Sequence, residues 1–348
     1  MPQYLLPENV DDFVTLTETK KIRHRWTDLA LQYQKYVFAR LIQEHKVQEQ
    51  ATHLIDFQIQ TKDIGTARNT GLYAQDVTKV DDVMITGQVN WSFQTVNYSW
   101  DIDEPIFQSD RETIIRMLVV REHTAHNAMA SLQEQNLWSA PTSTTDNRPY
   151  GIPFWLQKDA TTTPGGDFNG GNPAGFTNGA AGVNSSTYPR YKNWTFGYDV
   201  AEVDDLIAKT KKAIAFTEFM PPHNYPKAKW GDTDYMIYTT YRVQEPLERA
   251  AELRNDNLGP DLARYVNSVT IAGVPLMWVP YLETNDTTDP VYGVNWSVMR
   301  PYCHKGRNMR RSKIQVGARQ HNLRTIHIDH AWNTIVTDRR GTFAGSKS

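Results

Sequence analysis

Apolar positions in the first third of the chain follow two different periods. Through roughly Thr27 to Val47, Trp26, Leu29, Ala30, Tyr33, Val37 and Leu41 recur at three- and four-residue steps, with Gln32, Lys35, Arg40 and Glu44 on the other side. That spacing predicts an amphipathic helix. From Leu54 the period changes to two: Leu54, Ile55, Phe57 and Ile59 lead outward, and Val89, Trp91 and Phe93, then Val96, Tyr98, Trp100 and Ile102, lead back. Between them, Thr61 to Gly87 is dominated by Lys, Asp, Thr, Gly and Asn, so the pattern predicts a long two-stranded arm with an exposed tip. The apolar phase slips between Phe93 and Val96. A one-residue slip turns later side chains to the other face, so a bulge or strong twist is expected there. A lone hairpin is only marginally stable in water, and the expected cover for this one is another copy of the chain.

Ser109-Asp110-Arg111-Glu112 has the form of a capping box. It opens a stripe of Ile114, Ile115, Leu118, Val119, Ala125, Met129 and Leu132 with no Gly or Pro before Pro141. A single helix of about 27 residues, ~40 Å long, is predicted. From Ser139 to Lys192 the composition shifts to Gly, Asn, Thr, Ser and Pro, predicting a long loop partly ordered by Phe154, Trp155, Phe168 and Phe176. Regular patterning then resumes. A helix opens at Asp199 with Glu202 and stops before Pro221-Pro222; a strand covers Tyr235 to Thr240; a helix spans about Pro246 to Asn255, with its Pro in the first turn. Val269 to Val279, Tyr292 to Met299, Lys313 to Val316, Thr325 to Asp329 and Asn333 to Asp338 read as strands. The whole is an α+β body without internal repeats.

Charge and composition remove several function classes. The 348 residues carry a formal net charge of -2, which excludes a uniformly basic nucleic-acid binder. Cys303 is the single cysteine, so no internal disulfide forms, cytoplasmic folding is expected, and a small buried side chain is its default reading. No charged-then-apolar leader and no apolar run near ~20 residues is present, and no membrane partner is expected.

Candidate chemistry is sparse. The run Gly165 to Pro173 lacks the Lys-Ser/Thr ending of a phosphate loop and reads as a flexible surface loop. His321, His327, Asp329 and His330 are metal-binding residue types, but on a strand His327 and Asp329 share a face that His330 does not, so no metal or other cofactor is expected. Asp101, Asp103 and Glu104, with ten Trp and seventeen Tyr, keep a carbohydrate-active enzyme as an alternative. A charge pair between these carboxylates and a neighbouring subunit is equally natural. The strongest signal is electrostatic. Between Pro290 and Ile328 the cations Arg300, Lys305, Arg307, Arg310, Arg311, Lys313, Arg319 and Arg324, with His304, are met by no Asp or Glu. Such a stretch answers negative charge, either an acidic edge of the next subunit or a phosphate backbone contacted without base readout.

Set in order, these pieces resemble the major capsid proteins of tailed bacteriophages, whose fold is called Hong Kong-97-type. That family runs from an N-terminal arm through a two-stranded extended loop and a spine helix in a peripheral domain to a mixed α/β axial domain, then returns. Here residues 1–56 look like the arm and first helix, 57–104 like the extended loop, 105–138 like the spine helix, 139–300 like the axial domain and 301–348 like the return. Tyr292-Gly293-Val294-Asn295-Trp296 leading to Pro301, and the closing Asp338-Arg339-Arg340-Gly341-Thr342-Phe343, are local phrases similar to the family.

The resemblance implies a non-enzymatic shell protein that assembles as hexamers and pentamers around double-stranded DNA. Assembly in the host cytoplasm would place it in the virion, with scaffolding, portal and decoration proteins as partners. It also implies that the extended loop lies on a neighbour's spine helix, with Lys62, Arg68, Lys79, Trp91, Phe93, Trp100, Glu112 and Arg116 at that contact. The basic patch of Arg300, Lys305, Arg307, Arg310, Arg311 and Lys313 would meet DNA or another subunit. No counterpart of the family's cleaved N-terminal extension is seen, so a separate scaffold or none is expected. An encapsulin-like nanocompartment shell shares the fold and is the nearer alternative.

Overall fold

The structure, a computed structural model, describes residues 31–62, 65–72, 75, 78, 82–104, 111–159, 164–219, 234–253, 270–317 and 320–348; at 111–116, 203, 250–253 and 320 it describes the backbone. The expected N-terminal arm, the capping box at Ser109-Asp110, Lys79 and Arg319 lie outside these residues, as do the side chains of Glu112 and Arg116.

In chain order the elements begin with α1 (Val37–Gln43), β1 (Gln48–Gln50), β2 (Ile55–Gln60), β3 (Met84–Val89), β4 (Ser92–Asp101) and the spine helix α2 (Arg111–Leu137). There follow α3 (Ile152–Trp155), β5 (Asp167–Gly170), β6 (Asn193–Tyr198), a π-helical turn Val203–Ile207 running into α4 (Ala208–Thr217), β7 (Tyr235–Thr239) and α5 (Tyr241–Leu253). The chain closes with β8 (Thr270–Ile271), β9 (Val274–Trp278), α6 (Pro280–Asn285), β10 (Val291–Asn295), β11 (Met299–His304), β12 (Arg310–Arg311), β13 (Gln315–Gly317), β14 (Gln320–Val336) and β15 (Phe343–Lys347).

The spine helix forms over 27 residues, as its uninterrupted pattern predicts. Leu118, Ala125 and Met129 are buried along it, whereas Leu132 is 36% exposed and Gln133 takes the buried position beside it. The first helix is shorter than its periodicity predicts. Residues 31–36 are not helical, because Tyr33 and Tyr36 are held by the spine instead: Gln135 donates to Tyr33 Oη at 3.2 Å, and Tyr36 Oη lies 3.2 Å from Ser131 Oγ. The spine also caps α1, since Phe38 N donates to the buried Glu134 carboxylate at 3.0 Å. Burial raises the Glu134 pKa, against the opposing pull of that backbone bond and the one from Trp138 Nε1.

Strand pairing overturns the second half of the expected arm. Only β2 and β3 pair as a hairpin, Ile55 opposite Val89 through Gln60 opposite Met84. β4 leaves it and pairs antiparallel with β14 in unbroken register from Ser92 opposite Trp332 to Asp101 opposite Leu323. The expected bulge is absent. Burial alternates evenly from Ser92 and Gln94 through Tyr98 and Trp100, so Phe93 is simply an outward-facing aromatic, 61% exposed. β14 itself runs 17 residues without the break expected between Asp329 and Asn333, because His330, Ala331 and Trp332 are buried there.

The first sheet is six-stranded: β1, β11, β14 and β12 in order, with β13 and β4 also on β14. Its inner face packs Tyr98, Trp100, Ile326 and Ile328 on Leu118 and Ala125 of the spine. The second sheet has the order β5-β6-β15-β10-β7-β9-β8. Its member β15 corrects the expectation that all of 301–348 returns to the first body. Phe343 lies opposite Gly293, where any Cβ would fall 2.1 Å from the Phe343 ring, and the glycine admits that ring into the sheet. α5 begins at Tyr241 rather than near Pro246, which sits inside the helix. The Gly-rich run is not a free loop either: Asp167–Gly170 pairs with β6, and Phe154, Trp155 and Phe176 are core residues.

Arg339 ties these layers together. It is fully buried, donating to Trp155 O (2.9 Å), Tyr191 O (3.4 Å), Gly171 O (3.0 Å) and Asn193 Oδ1 (3.0 Å). No carboxylate touches it among the described residues; carbonyl dipoles solvate the cation instead. Burial still pulls its pKa down, to about 10.

Candidate functional site

Two surfaces hold the residues singled out from the sequence. On the arm, the root is covered within the chain. Ile55, Phe57 and Val89 are buried in the main core, the Phe57 ring meets Trp155 at 6.5 Å, and Gln88 N donates to Ala181 O at 3.1 Å. Among the described residues of the arm, those from Met84 and Gln60 outward stand clear, with Met84 51% and Leu72 92% exposed. Lys62 and Arg68 lie on that part, where the Arg68 guanidinium donates to Gln75 O.

The aromatic residues expected at a neighbour's spine are mostly used at home. Trp100 is 2% exposed against this chain's own spine, because β4 belongs to the first sheet and not to the arm. Trp91 donates to Thr52 O at 2.8 Å and stacks edge-on against His304 at 5.2 Å. Phe93 alone is outward, with the Arg307 guanidinium 5.0 Å over its ring.

The basic stretch divides by strand alternation. Arg310 is opposite Asp329 and Arg311 opposite Ile328, so the two point to opposite faces of the sheet. Arg311 turns inward, pairing with Glu122 of the spine at 2.6 Å and donating to Tyr98 Oη at 2.8 Å. His126 and Arg311 hold the Glu122 carboxyl below the usual carboxylate range. Arg300, Lys305, Arg307, Arg310 and Lys313 are exposed, and no carboxylate pairs with them among the described residues.

Sequence reasoning missed Arg121 and Glu122, the spine charges that receive the chain's two conspicuous charge clusters. Glu104 forms a bidentate pair with Arg121, both contacts 2.9 Å, so a carboxylate weighed as a neighbour's partner is satisfied within the chain. Asp101 accepts from Asp103 N and Asp103 from Asn322, local ties that hold the root of β4. Adjacent charges on an otherwise apolar helical stripe are the sequence signal for these partners.

The adjacent Cys303 and His304 point apart, yet folding sets Cys303 Sγ 3.6 Å from His330 Nε2. Burial pushes the thiol up to about 12 and pulls the imidazole down to about 4, leaving a neutral, unreactive pair at pH 7. No group of three metal-ligating side chains converges among the described residues. None of the helices described is long and apolar enough to cross a membrane.

No protein-family model matches the chain, and no curated protein matches it. Solved structures do. The chain is similar to a subunit of the cyanophage A-1(L) capsid asymmetric unit at 13% identity and TM-score 0.61, covering 95% of this chain and 98% of that one. It is similar to the capsid of Myoviridae phage XM1 at 9% identity and TM-score 0.53, with 100% of both chains covered. The capsid of a native GTA particle is similar at 10% identity and TM-score 0.51, over 95% of this chain and 94% of that one. With the hairpin arm, spine helix and two sheets in this order along nearly the full length, the chain has the Hong Kong-97-type capsid fold of tailed phages.

Proposed function

We propose that the chain is the major capsid protein of a tailed double-stranded DNA bacteriophage, building an icosahedral head from hexamers and pentamers. The observation that carries this reading is the arm. Its root is held in the core while the described residues of its tip, among them Thr61, Lys62, Arg68 and Leu72, lie beyond the last paired residues Gln60 and Met84. An element of that kind gains a cover only from another molecule. The spine helix with the first sheet acts as the peripheral domain, and the second sheet with α4 and α5 as the axial domain around which subunits cluster. The exposed cations Lys305, Arg307 and Arg310, with the Arg307 guanidinium over Phe93, supply a surface for a polyanion, and packaged DNA contacted through phosphates is the expected one.

Negative-stain electron microscopy of the purified protein tests the reading: closed, uniform shells are expected. Monomers with an aromatic-lined, sugar-binding cleft would instead support the carbohydrate-active alternative. Shells whose content survives nuclease and proves to be protein would favour a nanocompartment.

A further inference from the structure

The outward face of the first sheet joins aromatic rings to an excess of cations. Directly opposite residues share a face, so Phe93 (opposite Ala331), Thr95 (opposite Asp329) and Arg310 (also opposite Asp329) all stand on the side away from the spine. There two ring contacts border one tight turn, Lys305–Arg307, which His304 caps. The half-buried Trp91 meets the His304 ring edge-on at 5.2 Å, and the Arg307 guanidinium sits 5.0 Å over Phe93. Phe93 is still 61% exposed, so the guanidinium covers one face of its ring and leaves the other open to a partner. Lys305, Arg307 and Arg310 are exposed, and Asp329 is the carboxylate opposite Arg310 on the same face.

Phosphate contacts use the cations and leave this ring without a role. A duplex does not fill it, because its bases already stack on one another at ~3.4 Å and present sugars and phosphates outward. An unpaired base has a free π face, and an aromatic ring with a guanidinium beside it is the kind of surface on which such bases stack. Spacing points the same way. Trp91 and Phe93 lie two positions apart at the start of β4, about 6.6 Å at ~3.3 Å per residue. That is nearly twice the rise of a stacked duplex, so neighbouring bases reach both positions only when drawn apart. We propose that this face binds an unpaired stretch of a DNA strand, with one base stacked on the open side of Phe93 and the adjoining phosphates on Lys305, Arg307 and Arg310. The proposal rests on the polyanion surface of the functional reading, not on shell formation, and it names the form of DNA that the surface selects.

Fluorescence anisotropy on the intact chain tests it, with a labelled thymidine oligonucleotide of about 20 residues, a DNA duplex of the same length and a uridine oligonucleotide as probes, each over a range of salt. Phe93→Ala is expected to weaken thymidine binding by about 5- to 150-fold, the range for losing one stacked base, while duplex binding changes by less than about twofold and the salt slope for thymidine stays the same. Phe93→Tyr, which keeps the ring, should bind thymidine as the wild type does. Equal losses on duplex and single strand, or no loss on either, overturn the proposal. Uridine bound more than about tenfold tighter than thymidine would assign the face to RNA and also overturn it. Joint Lys305→Ala, Arg307→Ala and Arg310→Ala replacement separates the two readings. Unchanged binding of both DNA probes removes the polyanion surface and this proposal together, whereas loss of both probes alongside an idle Phe93 removes the proposal alone.

Discussion

Replacing Arg339 by Met keeps the length of the side chain and removes every donor from a fully buried site. The wild-type guanidinium serves four acceptors: the carbonyls of Trp155, Tyr191 and Gly171 and the Asn193 side chain. Each buried acceptor left without a donor costs ~1–3 kcal/mol, which summed naively exceeds what a single substitution does. Two effects reduce the loss. Met no longer carries the cost of desolvating a cation, and the 3.4 Å bond to Tyr191 is weak at the start. A net destabilisation of about 3–5 kcal/mol is expected, in the range for removing one member of a buried charged network. Urea unfolding of subunits under non-assembling conditions reads this as a lower midpoint with an unchanged slope. Arg339→Lys should recover little, since one ammonium cannot span acceptors contributed by three separate segments. A loss under about 1 kcal/mol for Arg339→Met would refute the idea that this cation holds Trp155, Gly171, Tyr191 and Asn193 together.

Further outcomes follow from the other contacts. His330 is held neutral by burial at about 4, below its unfolded value near 6.5; the unfolded chain therefore binds more protons between those values. Stability should be fully present above pH 6.5 and fall by roughly 2–3 kcal/mol on going to pH 4.5, a slope that His330→Gln flattens in urea titrations at both pH values. Arg311→Ala should lower subunit stability by ~1–2 kcal/mol through loss of Glu122 and Tyr98. Joint replacement of Lys305, Arg307 and Arg310 by Ala should leave the unfolding midpoint unchanged while lowering DNA affinity and its salt dependence, and an unchanged salt slope would remove these side chains from the polyanion surface. Joining Thr61 to Val83 by an Asn-Gly turn should give folded subunits that form no closed shells by electron microscopy, and normal shells would show the tip idle.

Local patterns carried the elements whose causes are local. The spine helix was legible because nothing between Arg111 and Leu137 breaks a helix, and the hairpin because Ile55 to Ile59 and Val89 alternate around a polar tip. The functional residues were less legible. The acid-free stretch was visible as a string of cations, yet the sequence could not say that Arg311 is structural while Arg310 is free to meet a partner. Nor could it show that Trp100 is consumed inside the subunit, since an alternating strand reads the same whether it continues a hairpin or joins a sheet.

Periodicity, the breaks at Gly and Pro, and the order of elements follow from the chain alone, because each rests on contacts between residues a few positions apart. Which strands pair is decided by tertiary packing: β4 finds a partner in β14 more than 220 residues away, β15 inserts beside β10 because Gly293 makes room for Phe343, and α1 stops short where Tyr33 and Tyr36 bind the spine. Long-range pairing leaves no mark in a local pattern, for the hydrogen-bonding backbone is the same at every residue, and only the buried faces brought together choose among the possible registers.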